Sequence, residues 1–184
     1  MSKLVLIGMG HQTGVGKDTA ARGIRAYLPW ISVEVRKFAY DLKYITYLMF
    51  KCYGMQPPDY YEQHREERSK PLPGIGKTPL ELMIEVGGKG REIHEHVWRD
   101  QALDDLPDKG LCIFTDVRGV NEAEAIRERG GLLLKIVRPD APSTQALDHM
   151  IPEDYPWHEV LVNDGTPQEL GAKAAEAVKR FLLL

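Results

Sequence analysis

A chain of 184 residues can bury one core of ordinary size, which predicts a single domain over residues 1–184 and excludes a second full one. Its net charge of -3, with acids and bases interspersed, lacks the basic footprint that nucleic acid requires, so any nucleotide it takes should be small. The two cysteines, Cys52 and Cys112, stand far apart without histidine clusters beside them, which excludes a zinc site and a disulfide framework and fits a reducing cytoplasm.

Leu4 to Gly8 is a continuous apolar run that stops at glycines, the pattern of a central parallel strand covered on both faces. It is far too short to span a bilayer and no later run is longer, so a soluble cytoplasmic protein without a membrane partner is expected. Lys17 to Leu28 carries small and apolar residues at helical spacing and ends at Pro29, while Ile31 to Val35 alternates like a strand. Ala39 to Tyr53 predicts a second helix, whose Tyr40, Tyr44, Tyr47 and Phe50 recur at helical spacing and are expected in the core. Gly54 to Lys77, rich in proline, glycine and charge, predicts a long surface excursion. Its Arg65, Arg68 and Lys70 could close over an acceptor and exclude water. Thr78-Pro79-Leu80-Glu81 supplies an N-cap, a proline at the first helical position and an acid three residues after the cap. The helix that follows is expected to break near Gly87 to Gly90. Leu111 to Phe114 and Leu132 to Val137 predict strands on either side of a helix from Asn121 to Arg129. Val160 to Val162 predicts a last strand, and Thr166-Pro167-Gln168-Glu169 repeats the capping pattern before a helix to about Leu182. This alternation predicts an α/β fold with a five-stranded parallel sheet, helices on both faces, and a ligand beyond the carboxyl ends of the strands.

Gly10-His11-Gln12-Thr13-Gly14-Val15-Gly16-Lys17-Asp18-Thr19 joins the first strand to the first helix, the context in which a glycine-rich loop binds phosphate. Glycines let backbone N–H groups turn around phosphate oxygens, the helix N-terminus adds its positive end, and Lys17 would neutralise the β and γ phosphates. The loop is one residue longer than the usual spacing, because His11 stands where the first glycine is expected and Gly10 precedes it. Asp18 replaces the usual hydroxyl after the lysine and could hold Mg²⁺ directly or through water.

Asp116 and Arg118 follow the strand Leu111 to Phe114, facing the same crevice. Asp116 suits a water-mediated magnesium contact, and Arg118 can present its planar fork to a phosphate. Arg138 closes the strand Leu132 to Val137, and the segment over about 139–158 could fold over the site as a short lid. The histidines His11, His94, His96, His149 and His158 share no ligand spacing and are expected to be solvated or packed.

Together these motifs resemble the deoxynucleoside monophosphate kinases of tailed bacteriophages, a branch of the P-loop nucleoside monophosphate kinase fold. The resemblance runs over most of the chain. It rests on Gly16-Lys17-Asp18-Thr19, Lys37-Phe38-Ala39 with Asp41-Leu42-Lys43, Thr78-Pro79-Leu80-Glu81-Leu82, and Gly90-Arg91-Glu92 followed by Trp98. It continues through Asp116-Val117-Arg118 with Asn121-Glu122-Ala123-Glu124-Ala125-Ile126, Val137-Arg138-Pro139, and Asn163-Asp164-Gly165-Thr166. It implies a three-layer kinase fold with an acceptor-binding excursion over about 38–100. It also implies ATP with Mg²⁺ as partners, held at Thr13, Gly14, Val15, Gly16, Lys17, Asp18, Thr19 and Arg138, with Asn163, Gly165 and Thr166 near the adenine. The acceptor monophosphate would lie against Phe38, Lys43, Arg91, Trp98 and Arg118, transfer would depend on Lys17, Arg118 and Arg138, and Asp18 and Asp116 would serve the metal. Members are often homodimeric, so a homodimer is part of what the resemblance implies. Two other readings share the phosphate loop: a kinase acting on dephospho-coenzyme A, and a regulator that binds nucleotide without turnover.

Overall fold

The apolar runs become the five strands of one all-parallel sheet in the computed structural model, which describes residues 3–10, 12–139, 141 and 150–183. The strands are β1 (Leu4–Gly10), β2 (Val33–Arg36), β3 (Gly110–Phe114), β4 (Leu132–Val137) and β5 (Glu159–Val162), in the order β2-β3-β1-β4-β5. Around them lie α1 (Lys17–Tyr27), α6 (Val120–Glu128) and α7 (Pro167–Leu183), and the excursion holds α2 (Tyr40–Phe50), α3 (Pro58–Gln63), α4 (Pro79–Ile93) and α5 (Val97–Leu103). The chain divides into two units, residues 1–37 with 105–184 and residues 38–104.

In the first unit the three central strands β3, β1 and β4 are buried on both faces, which is why they read as nearly unbroken apolar runs, while the edge strands β2 and β5 carry Glu34 and Glu159 and are partly exposed. Ile7 and Met9 of β1, Leu111 and Ile113 of β3, and Leu134 and Ile136 of β4 join Ala20, Ile24, Ala174 and Val178 in a core under α1 and α7. The intervening residues face α6, where a methyl group on Gly8 would press on Ile126 and Leu133 at 2.7 Å. The unit therefore has three layers, with α1 on one side of the sheet and α6 on the other. Since α1 follows β1 and α6 follows β3, and these strands are neighbours with Gly8 opposite Phe114, the chain leaves their carboxyl ends in opposite directions. This opens a crevice at the strand ends.

α1 and α7 touch through glycine. A Cβ on Gly23 would stand 2.1 Å from the Cα of Gly171, so the two helix backbones meet where neither has a side chain. Gly23→Ala improves helix propensity by about 1 kcal/mol but forces the helices apart, which costs roughly 2–4 kcal/mol. The expected outcome is a net loss of stability, read as a lower Tm by calorimetry.

The second unit departs from the sequence expectation in two places and adds structure in a third. Residues 54–77 lie mostly at the surface, as expected, but are not without structure of their own. They contain α3, a 3₁₀ turn over Arg65–Ser69, and three residues, Met55, Tyr61 and Leu72, buried with Leu82 and Met83 of α4. α4 runs through Gly87 to Gly90 without a break, because those glycines let neighbours approach: a Cβ on Gly87 would meet Leu42 at 3.0 Å and one on Gly90 would meet the Trp98 ring at 2.5 Å. Tyr40 and Tyr44 are exposed rather than in the core, their rings stacked on each other at 6.3 Å on the outer face of α2. The predicted cap of α4 is present, with Glu81 N donating to Thr78 Oγ1 at 3.2 Å and Thr78 N donating to Glu81 Oε2 at 2.7 Å. No helix among the described residues is long and apolar enough to cross a membrane.

Candidate active site

The glycine-rich loop leaves β1 at Gly10 and enters α1 at Lys17. Gly14 and Gly16 take positive φ angles, 77° and 105°, which side chains disfavour. Gly16 is the N-cap of α1 and no side chain caps that end, so its first N–H groups face the loop. Val15 is fully buried in the core under α1, which roots the loop. Lys17 is only 8% exposed, and its ammonium donates to the carbonyl of Gln12 across the loop.

The end of β3 meets this loop from the other side of the crevice. The Thr115 hydroxyl donates to Asp18 Oδ1 at 2.7 Å, and Arg118 Nη2 donates to Thr13 Oγ1 at 3.0 Å. Val117 N donates to Met9 O at 3.2 Å, which keeps the turn after β3 against β1. Asp116 lies half-buried between Thr115 and Val117. Lys17, Asp18, Thr13, Asp116 and Arg118 are therefore assembled by one unit of the chain.

Asn163 and Thr166 have structural work in the same unit. Asn163 Nδ2 donates to Val15 O at 2.8 Å, so this side chain holds the glycine-rich loop in shape, and a Cβ on Gly16 would collide with it at 2.7 Å. Thr166 caps α7 together with Glu169, and Gly165 precedes it at the surface. Thr19 accepts from Arg22 Nη2 at 3.1 Å. Arg138 is exposed at the end of β4, its carbonyl accepting from Ala141 N. Of the lid expected over 139–158, residues 140 and 142–149 lie outside the described residues. The stretch 150–158 is fastened to the first unit: Tyr155 donates to Glu124 Oε1 at 2.6 Å, Lys135 pairs with Glu153 at 2.8 Å, and Leu133 N donates to His158 Nδ1 at 2.9 Å.

In the second unit Phe38 is 1% exposed, and Lys43 pairs with Glu62 of α3 at 2.8 Å. Trp98 donates its indole N–H to Gly87 O at 3.0 Å and packs on Gly90, joining α5 to α4, while Arg91 is exposed in the last turn of α4.

Two residues that the sequence reading left without a role stand at the site. Thr115 is one; Glu122, in the third position of α6, is the other. Glu122 Oε2 accepts from Arg118 N at 2.8 Å and from Gly119 N at 3.0 Å. The spacing of an acid three residues after Gly119 is the signal that could have found it. Burial pushes its carboxyl up to about 7, with Asp116 adding to the rise and the two N–H groups and Arg118 opposing it. Because the folded value lies above the ordinary glutamate value of 4.5, this group's contribution to stability is complete below about pH 4.5 and is lost as pH rises through about 7. Glu122→Gln removes that slope. Calorimetry across this window should show the variant gaining on the parent toward pH 7, by up to on the order of 3 kcal/mol. Cys112, by contrast, is inert: burial pushes its thiol up to about 12.

No protein-family model matches the chain. Over 193 aligned residues, spanning 95% of this chain and 96% of the relative, it is 28% identical to an Acanthamoeba polyphaga mimivirus protein named "Putative deoxynucleotide monophosphate kinase".

Proposed function

We propose that the chain is an ATP-dependent kinase that transfers the γ-phosphoryl group to a deoxynucleoside monophosphate, giving the diphosphate and ADP. The observation that carries this reading is the hydrogen bond from Arg118 to Thr13, which sets a strand-end guanidinium on a phosphate loop already served by Lys17. Holding a single nucleotide needs one such cation; moving a phosphoryl group needs charge balanced on both sides of the moving phosphorus. The mimivirus relative, similar along nearly its whole length, supports the kinase class and suggests the deoxynucleotide acceptor.

In this reaction an oxygen of the acceptor monophosphate attacks the γ-phosphorus as the bond to the β-bridging oxygen breaks. The protein forms no covalent bond of its own. Lys17 takes up charge on the β and γ phosphates, the N–H groups at the start of α1 cradle them, and Arg118 faces the equatorial oxygens of the moving group. The reaction implies Mg²⁺. The oxygen donors of Asp18 and Asp116 fit a hard ion, with the Thr115 hydroxyl orienting the Asp18 carboxylate. Among the described residues no cluster of three or more ligand side chains forms a cage, and Mg²⁺ commonly takes one or two carboxylates plus phosphate oxygens and water. Bound there, it would shield charge on the β and γ phosphates. Phe38, Lys43, Arg91 and Trp98 are the acceptor-side residues of this reading.

ADP release from Mg-ATP, measured with each deoxynucleoside monophosphate, each ribose counterpart and dephospho-coenzyme A, tests it directly. Turnover that requires a deoxynucleoside monophosphate supports the reading. Turnover only with dephospho-coenzyme A replaces the acceptor, and ATP binding without turnover on any of them leaves a nucleotide-binding regulator.

A further inference from the structure

We propose that Glu122 is a positioning residue for phosphoryl transfer, its carboxylate fixing the turn that carries Arg118 so that the guanidinium stands over the phosphate loop; this rests on the kinase reading above. Gly119 has no side chain to complete a capping box, so the helix-start half of the motif is the bond from its N–H to the acid at the third helical position. Glu122 makes that bond and a second, shorter one, to the N–H of Arg118 itself. One carboxylate oxygen thus holds the two peptide groups from which the Arg118 side chain departs.

The support behind Glu122 is rigid. α6 is seated on the sheet by Ala123, Ala125 and Ile126, all at most 2% exposed, and Ile126 fills the space beside Gly8 and Leu133. The connection therefore runs from the core through α6 to Glu122, to the Arg118 backbone, and then through the guanidinium to Thr13 on the loop. The capping boxes at Thr78 and Thr166 show what capping alone requires. Glu81 and Glu169 make the same helix-start bonds from exposed positions. Glu122 does so half-buried, where desolvation and the neighbouring charge of Asp116 both disfavour its ionised form, a cost that capping does not demand. A fixed Arg118 is the return on that arrangement, because a displacement of about 1 Å in a charge-balancing group costs about 10²-fold in rate.

Steady-state kinetics of the full chain with Mg-ATP and its best acceptor, for the parent, Glu122→Ala, Glu122→Gln, Arg118→Lys and the Glu122→Ala/Arg118→Lys double variant, tests this. We expect Glu122→Ala to lower kcat by about 10²-fold with the KM for ATP within about threefold, and Glu122→Gln, which keeps a carbonyl oxygen for both N–H groups, to recover most of it. In the Arg118→Lys background Glu122→Ala should add no more than about threefold, since it acts through Arg118. A folded Glu122→Ala protein with parental kcat, or losses that multiply fully in the double variant, overturns the proposal. Should Glu122→Ala fail to fold, Glu122→Asp, one methylene too short to reach both N–H groups, decides in its place: a parental kcat overturns the proposal and a loss restored in Glu122→Gln supports it. An inactive parent on every acceptor removes the kinase reading, and this proposal with it; an active parent with an equally active Glu122→Ala removes the proposal alone.

Discussion

Lys17→Ala is expected to lower kcat by roughly 10³-fold while the protein keeps its fold. The ammonium is the first side chain of α1, nearly buried, and bent over the loop onto the Gln12 carbonyl. In that position water cannot replace it, and the charge gathering on the transferred group and on the leaving β-phosphate loses its nearest fixed counter-charge; removal of one such preorganised group typically costs about 10²–10³-fold. Stability should hold, because truncation removes a buried charge and leaves alanine, the best helix former, at the first position of α1. ATP should still bind, with a KM raised several-fold, through the N–H groups of the loop. Lys17→Arg should not restore the rate, since a planar fork does not fit where a compact ammonium meets the loop carbonyl. ADP-release kinetics beside a melting curve reads all of this. An unaltered kcat in a folded variant would mean that the loop is a glycine-rich turn and not a phosphate site.

The first unit was legible because its physics is local and strong. Central strands covered on both faces read as nearly unbroken apolar runs, so Leu4 to Gly8, Leu111 to Phe114 and Leu132 to Val137 announce themselves. The helix start at Thr166, like the one at Thr78 in the second unit, is set by bonds between residues three apart, which any reader of the sequence can pair. The rest of the second unit was not legible in the same way. Met55, Tyr61 and Leu72 reach one small core from a stretch with no hydrophobic period, and the glycines of α4 look like breakers until Leu42 and Trp98 fill the space beside them. The exposed tyrosines of α2 keep a helical spacing that periodicity alone assigns to a core. At the site, Lys17, Asp18 and Arg118 follow from glycine spacing and from strand ends that face one crevice. The roles of Thr115 and Glu122 do not, because each acts through a hydrogen bond closed only when the chain has folded, Thr115 on Asp18 from 97 positions away and Glu122 on a neighbour's backbone.

Arg118→Ala should cost about 10³-fold in kcat, the scale of a guanidinium that balances charge on a phosphoryl group in flight, with ATP affinity within about threefold of the parent. The separation of these two effects follows from the structure. The loop is held by Asn163 on Val15, by Val15 in the core and by its own glycine geometry, none of which involves Arg118, so its N–H groups stay in place when the guanidinium goes. What is lost is the bond to Thr13 and a fork aimed over the loop from the β3 side. Arg118→Lys should recover only part of the rate, because an ammonium supplies the charge without two parallel donors. Melting temperatures near the parent's are expected for both variants, since Glu122 still caps α6 through the Gly119 and residue-118 N–H groups. If the KM for ATP instead rises as steeply as kcat falls, Arg118 is part of ATP holding and does not balance charge on the transferred group.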